Sequence, residues 1–425
     1  MSMAGSFLGG AKSRLLPASV PFSFFLAAAG FHILAWATLF AAAGDVPGYT
    51  GGAGPVLAAI HILTLGVLTL TAMGASYQLL PVVTRHPLAL VWPTRLSFWL
   101  VMPGVAVLAW GMASTSTVAM STGAGLVTGG LLVFGTLTAH NLGRAGSLPV
   151  VAAHGWGALV ALVALVGVGL VLIGNFSLGY LGDHAGLALT HMILASFGFI
   201  GLLVLGLSLV LIPMFVMSRS LSIAAGWTQL ALAVLALVLF AAGVLSGTPG
   251  LALSALAPGF GTAATYFWLM RGALRNSMRK RLGLSFVMIR LSWVLLGLGL
   301  LTGFAVLLGL PVPNGPALFG FVVLAGWLLT FLTGVLQRIM PFLASMHASG
   351  RSGLPLLLSD LTAEGPLRLH AACHLSALVL VSIGILLDLT VLVQIGAASG
   401  MVGAIAFAGF AFNVVLRMKP PQDKA

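Results

Sequence analysis

Runs of mostly apolar residues alternate along the chain with short breaks rich in polar residues, glycine and proline. A membrane-spanning helix needs about 20 consecutive apolar residues, because no water is present in the bilayer to satisfy other backbone conformations. Cutting at the breaks gives twelve such segments, near 18–43, 55–83, 93–113, 117–139, 149–175, 186–216, 221–246, 249–273, 285–309, 315–345, 367–391 and 394–417. The pattern predicts an all-α polytopic membrane protein with 12 transmembrane helices in a single membrane domain over residues 1–425. The run ending at Ala41, Ala42 and Ala43 is too long for the apolar core of a cleavable signal peptide.

Charge adds orientation. Lys12 and Arg14 precede the first segment, Arg85 and Arg95 flank the loop after the second, and Arg144 and Arg219 follow the fourth and sixth. Arg271, Arg275, Arg279, Lys280, Arg281 and Arg290 surround the loop after the eighth; Arg338, Arg351 and Arg368 bracket the one after the tenth; Arg417, Lys419 and Lys424 form the tail. With twelve spans all 18 basic residues fall on one side, and Asp45, Asp183 and Asp388 fall on the other. By the positive-inside tendency both N- and C-termini are expected in the cytoplasm, in a bacterial or archaeal-type plasma membrane. The net charge of +12 is absorbed by this topology, so it signals no nucleic-acid partner. The Arg271–Arg281 cluster suits anionic lipid headgroups.

Composition excludes other classes. Hydrophobic residues make up 60% and charged residues 6%, against roughly 45–50% and about 25% in soluble proteins. Cys373 is the only cysteine, which removes disulfide scaffolds, Cys-rich zinc sites and iron–sulfur clusters. The Gly-rich stretch 125–130 lacks the strand–turn–helix setting of a dinucleotide site and reads as a glycine-packed helix.

Three segments share one spacing, G-x7-G-x6-P: Gly66, Gly74 and Pro81; Gly198, Gly206 and Pro213; Gly326, Gly334 and Pro341. They are the second, sixth and tenth segments. The spacing predicts three pseudo-repeated four-helix blocks, about 17–145, 146–282 and 283–418. Glycines eight apart share a helix face, where a neighbouring backbone or a flat ligand can approach; helix packing alone also accounts for them.

Carboxylates are nearly absent from the segments, which leaves the ten histidines to carry chemistry. His86, His140 and His347 at inner helix ends and His184 in an outer loop read as solvated or interfacial. His154 and His370 near the inner ends also read as interfacial, and mid-span His32 as a hydrogen bond to a neighbouring helix. His374 lies one turn deeper than His370, an i, i+4 pair that can hold a metal or relay protons. His61 and His191 stand at a common depth, some 8–9 Å below the outer ends of their helices. Counted back from the repeat proline they sit at positions 20 and 22, and the two-residue offset turns the side chains to nearly opposite senses. In a ring of three blocks such a pair can meet across one inter-block space, the arrangement of a bis-histidine haem; two unrelated buried histidines is the alternative.

The block pattern, with His61-Ile-Leu-Thr-Leu-Gly66 and Met73-Gly74-Ala-Ser-Tyr77-Gln-Leu-Leu-Pro81 in the second segment, resembles the haem–copper oxidase subunit I superfamily, which includes cytochrome oxidases and nitric oxide reductases. The likeness covers the architecture of the whole chain, but in motif only the second and sixth segments. It implies that His61 matches the family's low-spin haem ligand. The family's His-x-His pair of the tenth segment is Phe319 and Phe321 here, His191 is followed by Ala195 where the family has tyrosine, and the seventh segment has no histidine. A copper centre is therefore not expected. No outer-side Lys or Arg is present to hold haem propionates, leaving Tyr180, His184, tryptophans or another subunit to do so.

The resulting expectation is a membrane b-type cytochrome with haem b on His61 and His191, and Gly66, Gly74 and Gly198 lining the cofactor. It would serve electron transfer or nitric oxide- or oxygen-related redox handling; if an enzyme, it would be an oxidoreductase subunit, acting with a redox protein or other respiratory subunits. The rival readings are a cofactor-free transporter of a neutral or hydrophobic solute and a structural subunit of a respiratory complex.

Overall fold

The computed structural model describes residues 15–88, 90–348 and 356–418. Of the basic residues that set the expected orientation, Lys12, Arg14, Arg351, Lys419 and Lys424 lie outside the described residues. All regular secondary structure among the described residues is helical. The long helices are α1 (Ser19–Ala41), α2 (Pro55–Thr84), α3 (Trp92–Ala113), α4 (Thr117–Leu142), α5 (Pro149–Leu178), α6 (His184–Val216), α7 (Ile223–Leu245), α8 (Leu256–Arg275), α9 (Leu284–Leu307), α10 (Gly315–Ala348), α11 (Glu364–Leu386) and α12 (Thr390–Met418). All but α8 are long and apolar enough to cross a membrane, so the described residues hold 11 such helices, one fewer than the segment count predicts.

The expected eighth segment, 249–273, is divided at Ala255 into a short helix, Pro249–Ser254, and α8. Pro258 explains the break: it offers no N–H to the Ser254 carbonyl, and its ring crowds that carbonyl. The boundary between α11 and α12 also differs from expectation. It falls at 387–389 rather than 391–394, because Asp388 turns left-handed at φ 55° and Asn314 Nδ2 donates to the Ile385 carbonyl at 2.7 Å, closing the helix end.

Helices α2, α6 and α10 form the centre. Their most apolar stretches are 61, 89 and 83% buried, against 22–44% in the other eight spans. A helix apolar all round has to be surrounded by protein or lipid, and here the other helices do the surrounding. Each central helix packs on the helix before it, α2 on α1, α6 on α5 and α10 on α9. The outer helices pair as α3 with α4, α7 with α8 and α11 with α12, and the contact of α12 with α1 closes the ring.

All three central helices widen into π-helix, at Ile62–Thr69, Leu194–Ile200 and Val322–Leu329. These stretches begin 132 and 128 residues apart, the intervals that also separate Pro81, Pro213 and Pro341. They touch one another at the molecular axis. In α10 Thr330 Oγ1, at the end of the π stretch, donates to Ala325 O at 3.2 Å.

The repeat glycines face the preceding helix. A Cβ at Gly66 would stand 2.6 Å from the Phe31 ring, at Gly74 2.7 Å from Phe24, at Gly198 2.9 Å from Ala161 and at Gly206 2.5 Å from His154. The closeness of α1 and α5 to the central helices accounts for these glycines, and side chains fill the faces that a flat ligand could have used.

One rim is laced by hydrogen bonds between helix ends. Thr84 Oγ1 donates to Asn141 Oδ1 at 3.0 Å, Asn141 Nδ2 to the His86 carbonyl at 2.9 Å, and Ser147 Oγ to the Val83 carbonyl at 2.9 Å. Ser277 Oγ reaches Val216 O at 3.1 Å, His347 Nε2 reaches Leu16 O at 2.9 Å, and Arg338 joins Ser285 Oγ and Leu282 O. Arg417 reaches the Asp360 carbonyl.

Candidate functional site

The described histidines fall into three environments. His86 and His140 are exposed at helix ends, and half-buried His184 accepts a hydrogen bond at Nδ1 from Asn175 Nδ2 at 2.9 Å. His154 and His370, expected at the interface, are both buried. Gly206 and Gly403 explain this: each lacks a side chain where the histidine side chain or its hydrogen bond meets the neighbouring helix.

His61 and His191 come together. His61 lies at the last α-helical turn of α2 before its π stretch, and His191 in the corresponding turn of α6. The ring centroids are 6.2 Å apart with planes at 27°. Two imidazoles on opposite sides of one metal ion, at about 2.0–2.1 Å per bond, have centroids about 6.3 Å apart. His61 Nδ1 bonds the Leu57 carbonyl at 3.0 Å, which leaves Nε2 as the ring's acceptor nitrogen. His191 Nδ1 is buried with no hydrogen-bond partner among the described residues. Leaving such a nitrogen unpaired costs about 1–3 kcal/mol. The His191 ring lies on Gly169 of α5, where a Cβ would be 2.9 Å from Cε1.

The surroundings of this pair are open compared with the rest of α6. From His184 to Ala195 only Thr190 is buried, whereas every residue from Phe199 to Gly206 is buried. The π stretches of α2 and α6 pack on each other, but the segments that precede them, Pro55–His61 and His184–Ile193, pack less closely. The two helices thus part toward their N-terminal ends, with the imidazoles between them. The donor set and its spacing fit a bis-histidine metal group; the glycines expected to line it do not take part, since Gly66, Gly74 and Gly198 face side chains of α1 and α5. Tyr180 Oη donates to the Val171 carbonyl at 2.6 Å, so that hydroxyl is engaged locally.

The third environment was not legible as a unit. His32, His370 and His374 form one buried cluster between α1 and α11, with ring centroids 5.9 Å apart for His32–His370 and 5.5 Å for His370–His374. Among the described residues His32 bonds within its own helix rather than to a neighbouring one: its Nε2 accepts from Trp36 Nε1 one turn on in α1, at 3.1 Å. The only sequence signal was the i, i+4 spacing of His370 and His374. Nothing local in α1 points to α11, because the closure of the ring by α12 on α1 brings them together.

At the positions of the family's tenth-segment histidines, Phe319 packs under Gly303 of α9 and Phe321 lies 6.4 Å from the Trp36 ring. The sequence matches no known protein-family model and no curated protein.

Proposed function

We propose that the chain is a multi-pass b-type cytochrome of the plasma membrane, built like haem–copper oxidase subunit I without its copper centre, with one haem between His61 and His191. The observation that carries the reading is the 6.2 Å approach of two imidazoles from different central helices, His61 tied to backbone through Nδ1 and His191 with a buried, unpartnered Nδ1. Such ties set the orientation of metal-bound histidines. The proposal includes α8 as a twelfth span, three four-helix blocks and cytoplasmic termini; the near-equal spacing of the π stretches, 132 and 128 residues, and the basic residues along the chain support it. The haem would supply one-electron redox chemistry. The chain's own part is to hold both axial positions, which favours electron transfer with a redox protein or other respiratory subunits over binding of a gas.

The test is the optical spectrum of detergent-purified protein, oxidised and dithionite-reduced, with haem quantitation. Sharp reduced α and β bands at about one haem per chain, lost in His61→Ala and in His191→Ala, are expected. A colourless protein after haem-supplemented expression overturns the proposal. It would leave transport of a neutral solute as the better account, a reading favoured by three π-widened helices meeting at the axis.

A further inference from the structure

A groove of about 310 Å³ runs between α9, α10 and α11. Phe321 and Gly326 of α10 form its floor, Leu295 of α9 stands on one wall, and α11 supplies the other from Leu375 to Ile383. Ser382 brings the only polar side chain of the lining, and exposed Ile383 places the groove on the outer surface of the helix ring. The third repeat glycine accounts for it. Gly66 and Gly198 are covered by the preceding helix, with Phe31 at 2.6 Å and Ala161 at 2.9 Å from where a Cβ would stand, whereas at Gly326 the nearest atom, from Leu295, is 3.6 Å away. Helix α9 therefore stands back from the π stretch of α10 at this level, and the missing side chain leaves the floor bare.

Depth and dimensions select the occupant. All three helices are long and apolar enough to span a bilayer, and Leu375 is the central residue of the 23 in α11, while Ile383 lies one turn from its C-terminal end. At about 1.5 Å per residue the groove extends about 12 Å along α11, from mid-membrane to about 4–5 Å short of the helix end. Half of a hydrocarbon core about 30 Å thick is about 15 Å, so the groove has the length and the direction of one acyl chain of that leaflet. No water is present at this depth to fill it, and cavities lined by leucine, isoleucine and phenylalanine stay dry and take apolar ligands. Helices α9 and α11 touch each other as well as α10, a spacing that admits no further helix about 10 Å across between them. A slim hydrocarbon chain meets both limits and restores the dispersion contacts that a bare floor lacks.

We propose that the groove between α9, α10 and α11 is a lipid site that holds one acyl chain of a phospholipid from the leaflet at the C-terminal end of α11. It does not depend on the haem reading. The full chain is reconstituted in nanodiscs of phosphatidylcholine containing a trace of the same lipid with a diazirine in mid-chain, photolysed, and the labelled positions are mapped by peptide mass spectrometry. Label is expected to concentrate on Leu375–Ile383 and Phe321–Gly326, severalfold above the face of α5 around Gly167, where a Cβ meets nothing within 4 Å. Gly326→Leu fills the groove from its floor and Ser382→Phe from its wall, and each should lower groove labelling to the α5 level, while Gly167→Leu leaves it unchanged. Half-buried Ser382 lies outside the π stretch, so Ser382→Phe carries the test if Gly326→Leu does not elute as a monodisperse protein. Labelling of the groove no higher than that of α5 overturns the proposal, and so does labelling that persists in the folded filling variants. Displacement of the label by a polyisoprenoid alcohol but not by excess unlabelled phospholipid overturns it in favour of an isoprenoid chain; loss of the label in discs holding two chains instead of one overturns it in favour of a second copy.

Discussion

Replacing Gly169 with alanine perturbs the His61–His191 site through a residue that supplies no ligand. The new Cβ would stand 2.9 Å from His191 Cε1, and ordinary carbon contacts begin at about 3.5 Å, so the imidazole has to move by about 0.6 Å. Ring rotation can supply that movement, because the obstructed atom is at the far end of the side chain, and the cost to folding is small. A metal–nitrogen bond is less tolerant, with distances held to about ±0.2 Å. The displacement exceeds that tolerance threefold, and haem affinity should drop about 10–100-fold, roughly 1.4–2.7 kcal/mol. Gly167 on the same helix is the control, since a Cβ there meets nothing within 4 Å. Haem titration followed in the Soret band, with thermal melting of the haem-free protein alongside, separates ligation from folding. Equal haem affinity in Gly169→Ala and Gly167→Ala would contradict this account, and so would a loss matched by a collapse of the melting transition.

The α3–α4 hairpin gives a stability test. At Gly123 a Cβ would lie 2.3 Å from the Leu108 backbone nitrogen, so Gly123→Ala should destabilise by about 1–3 kcal/mol or more. Gly125→Ala, with open space at the Cβ, should gain about 0.5–1 kcal/mol from helix propensity, and unfolding in mixed micelles should show the opposite signs. In the loop between α1 and α2, burial pushes the Tyr49 phenol up to about 12 from an ordinary 10. The folded state therefore holds the proton that the unfolded state releases, and stability contributed by Tyr49 is present below about pH 10 and lost as pH rises toward 12. Melting temperatures across pH 9–12 should fall less steeply in Tyr49→Phe.

Spans were legible because length and apolarity are local properties. The expected 315–345 and the observed Gly315–Ala348 nearly coincide, whereas the break inside 249–273 escaped because a proline ten residues into an apolar run does not lower its apolarity enough to mark it. The approach of His61 to His191 was readable from two numbers, equal depth and a two-residue offset, since depth fixes height on a helix and offset fixes direction. The glycines were not, because a bare helix face does not say whether a cofactor or a phenyl ring will cover it. Phe31 and Phe24 cover Gly66 and Gly74.

Hydropathy, helical period and spacing act within one segment, and they are enough to specify a helical membrane protein and to mark His61 and His191, the two histidines that share a level. The gathering of His32, His370 and His374 into one buried cluster came from the packing of the whole chain, in which α12 closes on α1. So did the partners that His370 and His374 each find for one ring nitrogen. Both outcomes depend on which carbonyl or hydroxyl a distant helix brings within about 3 Å, the reach of a hydrogen bond, a property that no segment carries alone.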